Sequence, residues 1–222
     1  MAELTRAAEP FRFYARLHLT ELTGLKAANL VQLVRLLKSV PGGSIYYHTH
    51  RFLQQHQYLS PEPPNDFAYW VREILGEEEL GERLASIDII QYSTIRNLRE
   101  RIIETIEEYL EQRPEAKIRF AQEGGELHFK KAVSFILPTQ HISHDLREFV
   151  EILKRITIDS IYFHIFEARL RLEKKTNDFS NWIQNSIGNE ALALSIAHLD
   201  PYVYTMEDLR RTIIDLIERE IR

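Results

Sequence analysis

Residues 11–20, FRFYARLHLT, alternate between apolar and polar positions. Phe11, Phe13, Ala15, Leu17 and Leu19 fall on one face and Arg12, Tyr14, Arg16, His18 and Thr20 on the other, the period of a half-buried strand. LHFKKAVSFIL, 127–137, repeats the pattern less cleanly. The stretch KIRFAQEGGELHF predicts a hairpin with Gly124 and Gly125 in its turn. Elsewhere the period changes to that of helices, which are expected over 25–39, 44–58, 66–75, 78–87 and 94–112, with counterparts in the second half. In the last of these Ile95, Leu98, Ile102, Ile106 and Tyr109 form one apolar stripe. Asn65/Asp66 and Asn177/Asp178 stand where helix N-caps are wanted, and Gly76 and Gly188 where left-handed helix stops are wanted.

These patterns occur twice. SIYYH at 44–48 returns as SIYFH at 160–164, an offset of 116, which also aligns Phe13 with Phe129, Leu30 with Leu146 and Leu37 with Leu153. NDFAYWVREILG at 65–76 returns as NDFSNWIQNSIG at 177–188, an offset of 112, so the first copy carries four extra residues within SPEPP, 60–64. The expectation is therefore a tandem duplication: a first copy over 1–113, a connecting hairpin segment over 114–126, and a second copy over 127–222. Because the strands are too few per copy to be stable alone, an isolated pair being marginal, the copies are expected to share one compact body, packed about a pseudo-twofold axis. The fold class expected is α+β, predominantly helical, with a small antiparallel sheet.

Charge and composition narrow the function. A net charge of -5 without any Lys/Arg block disfavours nucleic acid and anionic membranes as partners. The absence of cysteine excludes disulfides, thiolate metal sites and a cysteine nucleophile. No apolar run is long enough to span a bilayer and the opening MAELTRAAEPFRF has no signal-peptide core, so a cytoplasmic protein is expected.

The strings LTGLKAANL, SIYYHTHRFLQQH, PEPPNDFAYW and LASID, followed by VSFILPTQHISHDLREF and NDFSNWI, resemble a duplicated, uncharacterised prokaryotic family described only as a domain of unknown function. The resemblance spans nearly the whole chain. It implies no catalytic residue, and it implies an association with trehalose-type sugar metabolism, hence a sugar-metabolising enzyme as one partner class.

Three of nine histidines, His48, His50 and His56, fall within 44–56. On one regular helix His48 and His50 would point about 200° apart, and His48 and His56 would be separated by about 12 Å of rise. On a strand, His48 and His50 would share a face instead. The second copy keeps His48 as His164 but replaces His50 with Phe166, Gln54 with Leu170 and His56 with Leu172. Positions filled by Phe and Leu in one copy are expected to face inward, so imidazoles there imply a partnered polar pocket. Its expected ligand-binding residues are His48, His50, His56, Glu62 from the proline-stiffened SPEPP loop, Asp66, Tyr47 and, reaching from the second copy, His164. A divalent metal, if held, would use His48, His50 and His164. In an enzyme version a histidine would act as general acid/base, with Tyr46 or Tyr47 donating to substrate.

Other motifs carry less. HISHD at 141–145 has His-x-x-His spacing but leads into LREFVEIL, which suits Asp145 as a helix start; Trp70 and Trp182 fit core spacing. No phosphate loop or nucleophile elbow occurs. The leading expectation is a small-ligand or divalent-metal-binding protein. The alternative is a non-catalytic protein-protein interaction module, with homo-oligomerisation open to either.

Overall fold

The alternating stretch runs on well past Thr20 as strand β1, Phe11–Ala27, and its antiparallel partner is β2, Leu127–Ser143. The computed structural model describes residues 5–55, 65–168, 170, 176–199 and 204–221. Cross-strand contacts pin the register: Thr23 Oγ1 donates to the Phe129 carbonyl at 2.6 Å, and Thr139 Oγ1 donates to the Phe13 carbonyl at 2.7 Å. Lys131 pairs with Glu21 at 3.0 Å, and Lys26 with Glu126 at 2.8 Å. The other described elements are helical, so the fold is α+β and predominantly helical, as expected.

Two units divide the chain, and they are not its two halves. One comprises 18–55 and 65–133 of the described residues: the later part of β1, the opening of β2, and helices α1 (Leu30–Ser39), α2 (Gly42–Gln55), α3 (Asp66–Tyr69), α4 (Glu78–Ala85) and α5 (Ile95–Gln112). Its core holds Leu30, Leu33, Leu37, Ile45, Phe67, Leu80, Ile106 and Phe129. The other takes the opening of β1, the later part of β2, and α6 (Leu146–Leu153), α7 (Ile158–Tyr162), α8 (Asp178–Trp182), α9 (Glu190–Ala197) and α10 (Met206–Glu220). There Phe11 and Phe13 from β1 pack edge-on and tilted against Phe149 and Phe179, with centroids 5.2 to 6.1 Å apart. Each half of the sequence thus lends the start of its strand to the helices of the other.

Several local expectations need correction. The first helix begins at Leu30 rather than 25, because β1 continues to Ala27 and the Asn29 side chain accepts the Gln32 N–H. The second helix, α2, begins at Gly42 rather than 44. The hairpin before Glu126 does not form: Gly124, at φ 85°, makes the turn, but its incoming arm is a 3-10 helix over Pro114–Ile118 followed by irregular chain. β1 is buried at Phe11, Phe13 and again at Ala27, whereas Leu17 and Leu19 between them are 50% and 51% exposed. By contrast Asn65 and Asn177 cap α3 and α8, and Gly76 and Gly188 adopt φ of 67° and 81°. Five-residue π-helical turns extend α3 (Trp70–Ile74), α7 (Phe163–Glu167) and α8 (Ile183–Ile187).

Candidate functional site

His48 is 2% exposed on α2 and uses both ring nitrogens. Nε2 lies 3.0 Å from the Lys130 backbone nitrogen, which can only donate, so Nε2 must accept. The ring proton therefore sits on Nδ1 and is donated to Asp66 Oδ2 at 2.7 Å. The second half builds the same unit from other elements: His164 Nε2 accepts the Tyr14 N–H at 2.9 Å, and Nδ1 donates to Asp178 Oδ2 at 2.7 Å. In both places the imidazole fills an outward-pointing amide of a strand edge, a group that would otherwise be left unpaired. Ser160 Oγ donates to the Tyr14 carbonyl at 2.6 Å and completes the edge there.

Of each Asn-Asp pair, the asparagine caps the helix and the aspartate holds the histidine. The tryptophans follow the same scheme, with Trp70 Nε1 donating to the Gly125 carbonyl and Trp182 Nε1 to the Glu9 carbonyl, both at 2.7 Å.

Among the expected residues, Tyr47, His48 and Asp66 come together: the Tyr47 and His48 rings meet edge-on at 5.0 Å, and Lys130 Nζ lies 5.7 Å from the Tyr47 centroid. His50 engages other groups. Its Nδ1 is 2.9 Å from Thr49 Oγ1, and its ring stacks on Tyr46 at 5.3 Å, with His18 on Tyr46 at the same spacing. His50 is 5% exposed, as is Phe166, so the inward direction read from the second half is correct at this position. His56 and Glu62 lie outside the described residues. His164 sits in the other unit with its own aspartate.

Because α2 is helical at 48–50, His48 and His50 diverge, and the Nε2 lone pair of His48 is already occupied. Among the described residues no three His, Asp or Glu side chains converge where a metal could be held.

The second unit contains an open cleft of about 740 Å³. Phe163, His164, Asp178 and Trp182 line it together with Glu9, Phe11, Arg12 and Tyr14 of β1 and its approach. Asn181, Asn185 and Ser186 edge it. The π-helical turns at 163–167 and 183–187 carry His164, Asn185 and Ser186; the widened backbone of such turns is common at functional sites. The sequence pattern places Trp182 in the core and does not single out Arg12, Asn181 or Asn185 as site residues. The signal available was the change from Tyr69 and Glu73 in the first half to Asn181 and Asn185 in the second.

A helical α+β protein with paired His–Asp strand clamps and an open cleft is the class these features define. The chain belongs to the family of unknown function DUF5752, matched over residues 8–218. It is similar to the solved structure of OrfY from Thermoproteus tenax, with a TM-score of 0.81 and 26% identity over 98% of each chain. None of the curated proteins matches it. No described helix is long and apolar enough to cross a membrane.

Proposed function

We propose that this protein binds a small polar molecule, and that the cleft beside His164 and Asp178 is the site. The observation carrying this reading is the cleft itself: a recess of about 740 Å³ where a carboxylate held by a buried histidine meets aromatic walls, two carboxamides and a guanidinium. Tyr47, His48 and Asp66 form the corresponding group in the first half. Binding without acid/base catalysis at the clamp is favoured, because His164 Nε2 already accepts the Tyr14 N–H and cannot take a substrate proton without releasing the strand. A thermal-shift screen of small polar compounds against the full chain tests the reading. Hits are expected to weaken in Asn185→Ala and Asp178→Asn; hits indifferent to both changes would count against it.

The metal-dependent version is the one expected of His48, His50 and His164. Elemental analysis of the purified protein decides it, with stoichiometric divalent metal supporting it and metal-free protein removing it.

A second reading is an interaction module, favoured by Leu17, Phe135 and Leu137, which are 47 to 50% exposed on the strands of one unit. Its partner class would be the sugar-metabolising enzymes that the family resemblance suggests. Co-purification that is lost on replacing Phe135 by Ser would support it over the cleft.

A further inference from the structure

We infer that residues 6–10 form a strap that lifts from the cleft as one unit while β1 stays seated, and so controls entry to the site. That use rests on the ligand-binding reading above; the motion itself does not. Glu9 and Pro10 line the cleft, as do Trp182 and Ser186. Three hydrogen bonds hold the segment down. The Ala7 N–H donates to the His144 carbonyl and the Ala8 N–H to the Ser186 carbonyl, both at 2.8 Å, and the Trp182 indole N–H donates to the Glu9 carbonyl at 2.7 Å. Two of these three bonds land on α8 and the π-helical turn that extends it, so the segment ties the approach to β1 to that side of the recess.

Burial separates the strap from the strand. Arg6, Ala8, Glu9 and Pro10 are exposed and Ala7 is half-buried, so lifting the segment uncovers little apolar side chain. The next residue, Phe11, is buried, and its ring meets Phe149, Phe179 and Trp182 edge-on at 5.3 to 5.5 Å. Phe13 is buried as well, and the Tyr14 N–H is held by the buried His164 ring. The hinge therefore falls between Pro10 and Phe11. A segment held by a few backbone bonds at the surface opens at far lower cost than one held by a packed core. Arg6 also attracts the Glu148 carboxylate, but both residues are exposed and salt screens the pair. The first half shows the contrast. Trp70 Nε1 bonds to the carbonyl of Gly125, which stands 116 residues after Glu9, yet there the Gly125 N–H also closes a turn onto the Gln122 carbonyl at 2.8 Å. A Cβ on Gly125 would come within 3.2 Å of Ile74 Cγ2, so that segment packs tightly against its own π-helical turn.

Hydrogen exchange of the full chain, followed by NMR, tests the motion without any ligand, so its result is separate from that of the compound screen. Because the Trp182 indole lines the cleft, its exchange with solvent also reads access to the recess. The Ala7 and Ala8 amides and the Trp182 indole are expected to share one protection factor, about tenfold or more below that of the Tyr14 amide, which must stay closed on His164 while the strap opens. Ala8→Pro removes one of the three donors at an exposed position. It should lower the protection of the Ala7 amide and the Trp182 indole together, by about two- to tenfold, as loss of one hydrogen bond implies. The Tyr14 amide and the Trp70 indole should not change. Equal protection of Trp182 and Tyr14 in the wild type would mean that the segment opens only with the strand, and overturns the inference. A response to Ala8→Pro confined to Ala7 overturns the single unit. The wild-type comparison decides the matter even where Ala8→Pro fails to fold.

Discussion

Tyr109 donates its hydroxyl proton to Glu77 Oε2 at 2.6 Å, joining the end of α5 to the N-cap of α4, with both residues buried. Burial, and next the Glu77 carboxylate, push the Tyr109 hydroxyl up from 10.0 to about 12. A raised folded-state value means that the folded chain holds this proton more tightly than the unfolded chain. The contribution is therefore full below pH 10 and is lost as pH rises through about 12. Tyrosinate absorbance should show one ring titrating later than the rest, absent in Tyr109→Phe and brought earlier by Glu77→Gln. Titration of every ring near 10 would refute the pairing.

Replacing His48 by Phe keeps the ring volume but strands the Lys130 amide and the Asp66 carboxylate. The cost expected is about 1–3 kcal/mol, the penalty for an unpaired buried donor. Asp66→Asn should cost less, since the amide oxygen can still accept from Nδ1 and the Asp66 side chain is 39% exposed. Urea midpoints of the two variants check the order, and a larger loss in Asp66→Asn would contradict the clamp geometry.

Gly81 lies where α4 crosses the π-helical turn after α3. A methyl group there would sit 2.6 Å from Arg72 Cβ and 3.2 Å from its Cα, so two backbones would have to move apart. Gly81→Ala is expected to destabilise by about 1–3 kcal/mol, as overpacking does, despite its gain in helix propensity. A stabilised variant, by thermal melt, would show that the contact is looser.

Arg16 on β1 forms an ion pair with Glu167, whose side chain is 1% exposed against 21% for Arg16. Arg16→Met should destabilise by about 2 kcal/mol or more because a buried carboxylate loses a charge partner, and Glu167→Gln should recover part of that loss. A double-mutant cycle measures the coupling; strictly additive effects would mean that the pair contributes nothing.

Periodicity located α5, and the Asn-Asp and Gly positions located the ends of α3 and α8, because those signals act within one turn of chain. The pairing of His48 with Asp66 and Lys130 was out of reach, since it joins three segments separated by 18 and 82 residues. Substitution of Phe166 for His50 did reveal an inward-facing position, because burial is a property both halves must satisfy. It did not reveal the partner of His50, as stacking on Tyr46 leaves no mark in spacing. The strand face was overestimated for a similar reason: alternation reports what could be covered, and Leu17 and Leu19 stay half open.

The crossing of strands between units has a practical consequence for dissecting the protein. A piece cut within 114–126 would keep helices α1–α5 yet lose Leu127, Phe129 and the Lys130 amide that His48 requires, while the remainder would lose Phe11, Phe13 and the Tyr14 amide. Neither fragment carries a complete interior, so the two should be poorly soluble when expressed singly and regain order only when co-expressed, by fragment complementation.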